Sequence, residues 1–130
     1  MEYTIKQVSE RMGLSEHTVR YYEKEGLLPN IARSPSGIRR FSDRDIEWLG
    51  LICCLKKTGM SIQQIREFVE LYQYGDGTIP RRVEILEQQR ESVHQQIRML
   101  QQYLVTVEHK IAFYQERQKE SLARSKEAGQ

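Results

Sequence analysis

The first 28 residues contain two short stretches in which apolar positions recur at spacings of three and four, the period of one face of an α-helix. These apolar positions are Ile5, Val8, Met12, Leu14 and Val19. Thr4 and Ser15 are suited to cap the N-termini of the two helices, and Gly13 separates them. Two short helices joined by a tight turn form a helix-turn-helix unit, which this pattern predicts, with its second helix over residues 16–25.

Between residues 28 and 41 the helical period disappears, and turn-forming residues separate short extended stretches. The turn formers are Pro29, Asn30, Pro35, Ser36 and Gly37. Residues 30–33 and 38–41 are predicted to form two short strands joined by a turn. Because a two-stranded hairpin is only marginally stable alone, we expect it to lean on the preceding helices as a wing, with Phe41 as its packing anchor.

Two further helices are predicted before residue 78. Ser42 precedes acidic residues in a first helical turn, where the helix dipole favours negative charge, and this helix continues to Lys57. Ser61 caps the next helix, whose apolar positions are Ile62, Ile65, Phe68, Val69 and Tyr72. Residues 74–77 (YGDG) end that helix and form the strongest boundary of the sequence. Residues 1–77 are therefore predicted to be one domain.

A regular apolar stripe follows this boundary. Thr78 is a candidate cap, and Pro80 fits the first turn of a helix. Nine of the ten stripe positions are apolar or aromatic, with Arg90 as the exception, and the nine are Val83, Leu86, Val93, Ile97, Leu100, Leu104, Val107, Ile111 and Tyr114. Alternating spacings of three and four are typical of a coiled coil. We predict this coiled-coil helix over residues 78–118 and a polar tail over residues 119–130.

The narrow seam of this helix requires a partner surface. Residues 80–118 would span about 58 Å at a rise of about 1.5 Å per residue, and such a helix cannot bury its own stripe. It either folds back on residues 1–77 or pairs with the same helix of a second chain. We favour the homodimer, because two-fold dimers are the commonest closed assemblies.

Composition narrows the class of protein. The chain has 130 residues, of which 29% are charged, and its mean hydropathy is −0.67. The longest apolar run is eight residues, 48–55, whereas a membrane-spanning helix needs about 20, and no apolar segment of a secretory signal follows Met1. The adjacent Cys53 and Cys54 cannot join distant parts of a secreted fold. We therefore expect a cytoplasmic protein with no membrane partner.

The net charge of +2 is too small to indicate a nucleic-acid partner, but its local distribution is more informative. Residues 17–41 contain five basic and two acidic residues. The second helix carries a cluster of hydrogen-bond donors and aromatic side chains, namely His17, Thr18, Arg20, Tyr21 and Tyr22. Such side chains bind phosphates and base edges, and a helix-turn-helix inserts its second helix in the major groove. The alternative is a solvated helix with packed aromatic rings, and we expect one of the two tyrosines to lie partly in the core.

The wing and the third helix contribute further basic candidates. Arg39 and Arg40 are neighbours in an extended stretch, so their side chains point to opposite sides. We expect one of them to meet a DNA phosphate and the other to stay solvated or pair with an acid. Lys57 is a candidate phosphate contact at the end of the third helix, although a solvated cation that complements the helix dipole explains it equally well.

Four segments of the sequence together resemble the MerR-type transcriptional regulators. They are residues 4–9 (TIKQVS), 18–28 (TVRYYEKEGLL), 36–41 (SGIRRF) and 57–65 (KTGMSIQQI). The resemblance implies a mainly α fold, with a winged helix-turn-helix DNA-binding domain followed by a long helix that pairs antiparallel in a homodimer. It also implies pseudo-palindromic promoter sites whose spacer is unusually long for RNA polymerase, and activation by bending and untwisting that DNA.

The resemblance also narrows the kinds of molecule to which such a regulator would respond. Metal-sensing and iron–sulfur members need cysteines at or beyond the dimerisation helix, and this sequence has none after Cys54, so we expect no metal and no cofactor. Drug-binding members carry a large additional domain, for which the twelve residues after position 118 are too few. Residues 52–61 (ICCLKKTGMS) and 112–115 (AFYQ) are similar to the short-tailed branch that responds to aldehydes or related electrophiles. The functional cysteine of that branch matches Cys54.

The chemistry of the two thiols leaves their roles open. Lys57 lies one helical turn after Cys54 and favours a thiolate, whereas the C-terminal half of a helix disfavours one. A packed, unreactive side chain is the alternative for Cys54 and the preferred interpretation of Cys53.

Two other classes of protein compete with the DNA-binding regulator. A coiled-coil adaptor with a helical head would share the stripe but give no footprint on DNA. An enzyme is not expected, because His17, His94 and His109 lack the spacing of metal ligands, and the sequence contains no glycine-rich phosphate-binding loop.

Overall fold

The elements form in the order that the sequence pattern predicts, with one addition at the N-terminus. The computed structural model describes residues 1–129, and its elements are β1 (Glu2–Tyr3), α1 (Ile5–Met12), α2 (Glu16–Lys24), β2 (Ala32–Arg33), β3 (Arg39–Ser42), α3 (Asp43–Lys57), α4 (Ile62–Tyr74) and α5 (Ile79–Ala128). Residues 1–90 form one compact unit, and a second unit begins at Glu91. The predicted mainly α fold with a small β wing and a long C-terminal helix is confirmed.

The predicted caps begin the first two helices. The Thr4 hydroxyl accepts a hydrogen bond from the Gln7 backbone at 3.2 Å, and the Gln7 side chain accepts one from the Thr4 backbone at 2.9 Å. This reciprocal capping box satisfies two N–H groups that would otherwise lack partners. Gly13 ends α1 with a left-handed φ of 66°, and Ser15 caps α2 through the Thr18 N–H at 3.0 Å. The helix-turn-helix is thus encoded locally.

The wing contains three strands, whereas the sequence predicted two. β3 lies between β1 and β2, and both pairs are antiparallel, with Tyr3 opposite Phe41 and Arg33 opposite Arg39. The prediction missed β1 because a two-residue strand shows no periodicity, and its pairing depends on residues about 40 positions away. The extra strand connects the wing to the start of α1, which gives the hairpin the support that it needs.

A single hydrophobic core lies beneath α2, the wing and α3. Its most deeply buried side chains are Val8, Val19, Leu27, Phe41, Leu49, Ile52, Ile65 and Val69. Trp48 borders the core, and its indole N–H donates to the Leu27 carbonyl oxygen at 2.8 Å. Because α2 and the wing pack on the same core, their outer surfaces are held in a fixed arrangement.

Phe41→Ala is expected to destabilise the protein by about 3–5 kcal/mol, because it leaves a cavity beneath the wing. Phe41 is 1% exposed. Urea unfolding followed by circular dichroism measures the change, and Ile38→Ala is the matched control, since Ile38 precedes the same strand but is exposed. Equal destabilisation by the two substitutions would contradict the assignment of Phe41 as the packing anchor.

The next two helices also begin at their predicted caps. Ser42 and Asp45 form a capping box at the start of α3, and Ser61 and Gln64 form another at the start of α4. Gly59, with a left-handed φ of 101°, lies in the connection between the two helices. These local signals place the cysteine-bearing helix α3 directly after the wing.

The start of α5 differs from the prediction. A 3₁₀ turn, Asp76–Thr78, precedes the helix, and Thr78 does not cap α5 but donates its hydroxyl to the carbonyl oxygens of Leu71 and Gly75. The first compact unit extends to residue 90, because Ile85 is buried in its core and Gln89 donates from Nε2 to Thr58. The N-terminal part of α5 therefore packs with residues 1–77 as part of the first compact unit.

The end of α5 also differs. The helix continues to Ala128, through most of the segment predicted to be a polar tail, because Lys, Glu, Arg and Ala are strong helix formers. Of the nine predicted seam residues, Val93 is partly buried in the single chain. The other eight are exposed, namely Val83, Leu86, Ile97, Leu100, Leu104, Val107, Ile111 and Tyr114. In the part of the chain that the structure describes, no helix has the length and apolar character needed to cross a membrane.

Candidate nucleic-acid interface

The outer face of α2 presents three of the predicted DNA-binding side chains to solvent. His17, Arg20 and Tyr21 are exposed. Within residues 1–129, the one ion pair that Arg20 forms is a long contact with Glu16 one helical turn away, 3.8 Å between Nη1 and Oε1. An exposed pair of this kind contributes little, so the guanidinium is available to a ligand. Thr18 is partly buried, and its hydroxyl shares a 2.8 Å hydrogen bond with the Ser15 hydroxyl at the cap.

Tyr22, the residue after Tyr21, is turned toward the core. It is 8% exposed, and desolvation raises the pKa of its hydroxyl above the ordinary value. Its ring lies 6.0 Å from that of Tyr21, centroid to centroid. The expectation that one of the two tyrosines belongs to the core is met by Tyr22. The inclusion of Tyr22 among the direct DNA contacts is corrected, because the helical period that exposes Tyr21 turns Tyr22 inward.

The two arginines of β3, Arg39 and Arg40, both have acidic partners. Arg39 donates from Nε to Glu23 Oε1 at 2.7 Å, and both side chains are mostly buried. Arg40 donates from Nη1 to Glu2 at 3.0 Å, and this pair is exposed. Sequence reasoning expected an acid at only one of the two arginines and named neither carboxylate, because the partners are 16 and 38 residues distant in the chain.

The same reasoning missed Arg33. Its Nη2 lies 3.4 Å from Glu23 Oε1, and its Nη1 donates to the Gly37 carbonyl oxygen at 3.0 Å. The local excess of basic residues was the one sequence signal that included it. The wing and the C-terminal half of α2 therefore share an ion-pair network, which lies beside the exposed face of α2.

The two thiols of α3 differ in environment. Cys54 is exposed, whereas Cys53 is partly buried against the core. Burial raises the pKa of the Cys53 thiol, and the charge of Lys57 opposes this effect. Lys57 itself is exposed. Cys54 is thus the more accessible of the two thiols, and the partial burial of Cys53 disfavours its thiolate form.

Within residues 1–129, no three side chains among His, Cys, Asp and Glu are grouped so that they could hold a metal ion.

A helix-turn-helix with an exposed second helix and an adjacent basic wing defines a DNA-binding protein of the winged type. Residues 3–71 match the family of MerR HTH regulatory proteins, and residues 46–110 match the family described as MerR, DNA binding. The chain belongs to the MerR family of transcriptional regulators, and it is a DNA-binding regulator of transcription. The predicted family resemblance is thereby confirmed.

Individual relatives agree with this assignment. The chain is 48% identical over 115 residues to an HTH-type transcriptional regulator of Haemophilus influenzae, covering 88% of this chain and 85% of the relative. It is 40% identical over 87 residues to the regulator AdhR of Bacillus subtilis, covering 67% of this chain and 62% of AdhR. These relatives are regulators and not enzymes, as the sequence led us to expect.

A solved structure extends the comparison to the fold. HiNmlR, described as a MerR family regulator lacking the sensor domain and bound to promoter DNA, is similar with a TM-score of 0.84 and 47% identity. The similarity covers 89% of this chain and 92% of the HiNmlR chain. The relatives thus support the NmlR- and AdhR-like branch of the family.

Proposed function

We propose that this protein acts as a homodimer on a pseudo-palindromic promoter with a long spacer, and that it bends and untwists this DNA in response to an aldehyde or another electrophile. The observation that carries the DNA-binding part is the exposed face of α2 beside a basic wing, in a chain that is 47% identical in sequence to a regulator solved bound to promoter DNA. Its direct DNA contacts are His17, Thr18, Arg20, Tyr21, Arg39, Arg40 and Lys57.

The exposed stripe of α5 supports the homodimer. Leu100, Leu104 and Ile111 are each at least half exposed, and water-exposed apolar side chains at coiled-coil spacing are stabilised when a second helix covers them. A two-fold dimer places one α2 in each half-site of a palindromic operator. Dimerisation thus matches the symmetry of the proposed DNA site.

Activation by distortion follows from this geometry. In a dimer, the two winged helix-turn-helix units (the heads) are held at a set separation and favour the DNA shape that matches it. The deformability of the spacer determines the free-energy cost of distorting the DNA to that shape. In the proposed mechanism, the distorted spacer brings both promoter elements into register for RNA polymerase.

Cys54 is the proposed receptor for the signal. The thiolate attacks the carbonyl carbon of an aldehyde, a C–S bond forms, and the electron pair of the carbonyl double bond moves to oxygen, which takes up a proton to give a hemithioacetal. No oxidant or reductant is required. The exposure of Cys54 supports this role, because an electrophile in solution can reach an exposed thiol directly.

Two hydrogen bonds, both made by Thr58, link the backbone carbonyl of Cys54 to Gln89 in the N-terminal part of α5. The Thr58 N–H donates to the Cys54 carbonyl oxygen at 3.0 Å, and Gln89 Nε2 donates to the Thr58 hydroxyl at 2.7 Å. A change at Cys54 that shifts the last turn of α3 would therefore act on Gln89. We propose this connection as the route by which the signal reaches α5.

Arg20→Ala is expected to weaken operator binding by about 1–3 kcal/mol and to relax base preference, because Arg20 lies on the exposed face of the recognition helix. Tyr22→Ala is also expected to weaken binding, but through lost packing beneath α2. Arg98→Ala is the matched control, since it removes one positive charge from an exposed site on α5. Unchanged affinity of both the Arg20 and Tyr22 variants at physiological salt would contradict the proposed interface.

The first experiment is a gel shift with DNA from upstream of the protein's own gene, across a series of salt concentrations, together with the mass of the protein in solution. Specific, salt-sensitive binding by a dimer supports the proposal. A folded dimer that shows no sequence preference would instead support the coiled-coil adaptor.

A further inference from the structure

Glu23 connects the recognition helix to both strands of the wing hairpin through one carboxylate oxygen. Its Oε1 accepts from Arg39 Nε at 2.7 Å and lies 3.4 Å from Arg33 Nη2. The Glu23 side chain is only 19% exposed, so solvent screens the interaction with Arg39 less than it would screen an ordinary surface pair.

The wing needs this carboxylate because of its strand register. Arg33 and Arg39 lie directly opposite each other in the β2–β3 pair, and like charges in that position destabilise a hairpin. The negative charge of Glu23 interacts with both guanidinium groups and so offsets their mutual repulsion. Arg33 also donates to the Gly37 carbonyl oxygen in the wing turn at 3.0 Å. The Glu23 carboxylate therefore holds both strands against the end of α2. Because Arg33 also bonds the turn, the same carboxylate stabilises the position of the turn.

Glu23 accepts a hydrogen bond from only one of the three guanidinium nitrogens of Arg39. The hydrogen bond uses Nε, and within residues 1–129 the structure shows no hydrogen bond from the two terminal nitrogens of Arg39. Those nitrogens form the flat fork that binds a phosphate bidentately. Arg40, on the other side of the same strand, differs because its terminal nitrogen already donates to Glu2.

We infer that Glu23 is a positioning residue for DNA binding, which sets the wing against α2 and directs the terminal nitrogens of Arg39 to a backbone phosphate. This inference rests on the proposed DNA interface. Because the carboxylate belongs to α2 and the guanidinium to β3, insertion of α2 in the groove and phosphate contact by the wing occur in one fixed relative position. Glu23 acts through Arg39 and does not itself contact DNA.

Operator affinity as a function of salt concentration tests this role. Glu23→Ala is expected to lower affinity about tenfold and to reduce the slope of log affinity against log salt by about one, the change expected when one phosphate contact is lost. Glu23→Gln keeps an acceptor for Arg39 without the charge, so its effect should be intermediate. Glu2→Ala is the matched control, since it removes an acidic partner from Arg40 and should leave the affinity unchanged or raise it.

A double-mutant cycle separates positioning from simple structural loss. Arg39→Ala alone should reproduce the reduced slope, and Glu23→Ala added to it should cause little further loss, because the two side chains act as one unit. Equal or tighter binding by the Glu23→Ala or Glu23→Gln variant, with an unchanged or steeper slope, would overturn the inference, since the carboxylate would then oppose the phosphate. If Glu23→Ala fails to fold, a double-mutant cycle of Glu23→Gln with Arg39→Ala tests in the same way whether Glu23 acts through Arg39. Failure of the wild-type protein to bind would instead contradict the proposed interface itself.

Discussion

Leu100→Asp combined with Leu104→Asp is expected to convert the protein to a monomer and to lower operator affinity at least about 100-fold. Both leucines lie on the stripe of α5, at 65% and 54% exposed in the single chain. In a dimer, each leucine would contribute about 1.5–3 kcal/mol when buried, and a carboxylate in its place would be buried without a partner. The loss of the second head removes the benefit of binding two linked half-sites, which amounts to a factor of about 10²–10⁴.

The measurement is the molar mass by sedimentation equilibrium, followed by a gel shift on the same samples. Gln102→Asp is the control for charge, because it introduces one such carboxylate at an exposed position of α5 outside the seam, and it should remain dimeric and bind normally. Circular dichroism verifies that the head is still folded. A double variant that stays dimeric and binds DNA with full affinity would show that the stripe is not the dimer interface.

Cys54→Ser is expected to abolish the response to aldehyde while leaving operator affinity nearly unchanged. The serine hydroxyl has almost the same size but is a far weaker nucleophile than a thiolate near neutral pH. The side chain is exposed on α3 and is not part of the buried core, so the substitution should not perturb the head. Transcription from the operator promoter in vitro, with and without formaldehyde, measures the response.

Cys53→Ser provides the matched control on the neighbouring residue. Cys53 is partly buried, whereas Cys54 is exposed, and burial raises the pKa of the Cys53 thiol, so an electrophile has less access to Cys53 and finds less of its thiolate. The Cys53 variant should therefore retain activation, and mass spectrometry should find the aldehyde adduct on Cys54. Normal activation of the Cys54→Ser protein by aldehyde would rule out this thiol as the sensor, while the DNA-binding function would stand.

Short-range signals made much of the fold predictable. The caps Thr4, Ser15, Ser42 and Ser61 were correctly assigned, because a hydroxyl that accepts an N–H two or three residues later acts within one helical turn. The apolar period correctly placed Val19 inside, and the extended stretch correctly included Phe41 as a buried anchor.

The errors arose where the outcome depended on distant residues. β1 forms only because Tyr3 pairs with Phe41, and Thr78 does not cap α5 because its hydroxyl donates to the carbonyl oxygens of Leu71 and Gly75. The periodic stripe also did not identify Met99, Tyr103, Val105, Phe113 and Leu122, which add exposed apolar surface to α5. Their spacing falls outside the strict alternation of three and four that defined the seam.

By itself, the sequence determined the starts of the first four helices, the winged helix-turn-helix order, the long amphipathic helix and the family, because caps, periodicity and short motifs act within a few residues. Only the tertiary structure decided that Tyr22 faces the core while Tyr21 faces solvent, and that Glu23 lies against Arg39. The first result depends on which side of α2 the core covers. The second depends on a sheet that brings together side chains 16 residues apart, and no local pattern records that proximity.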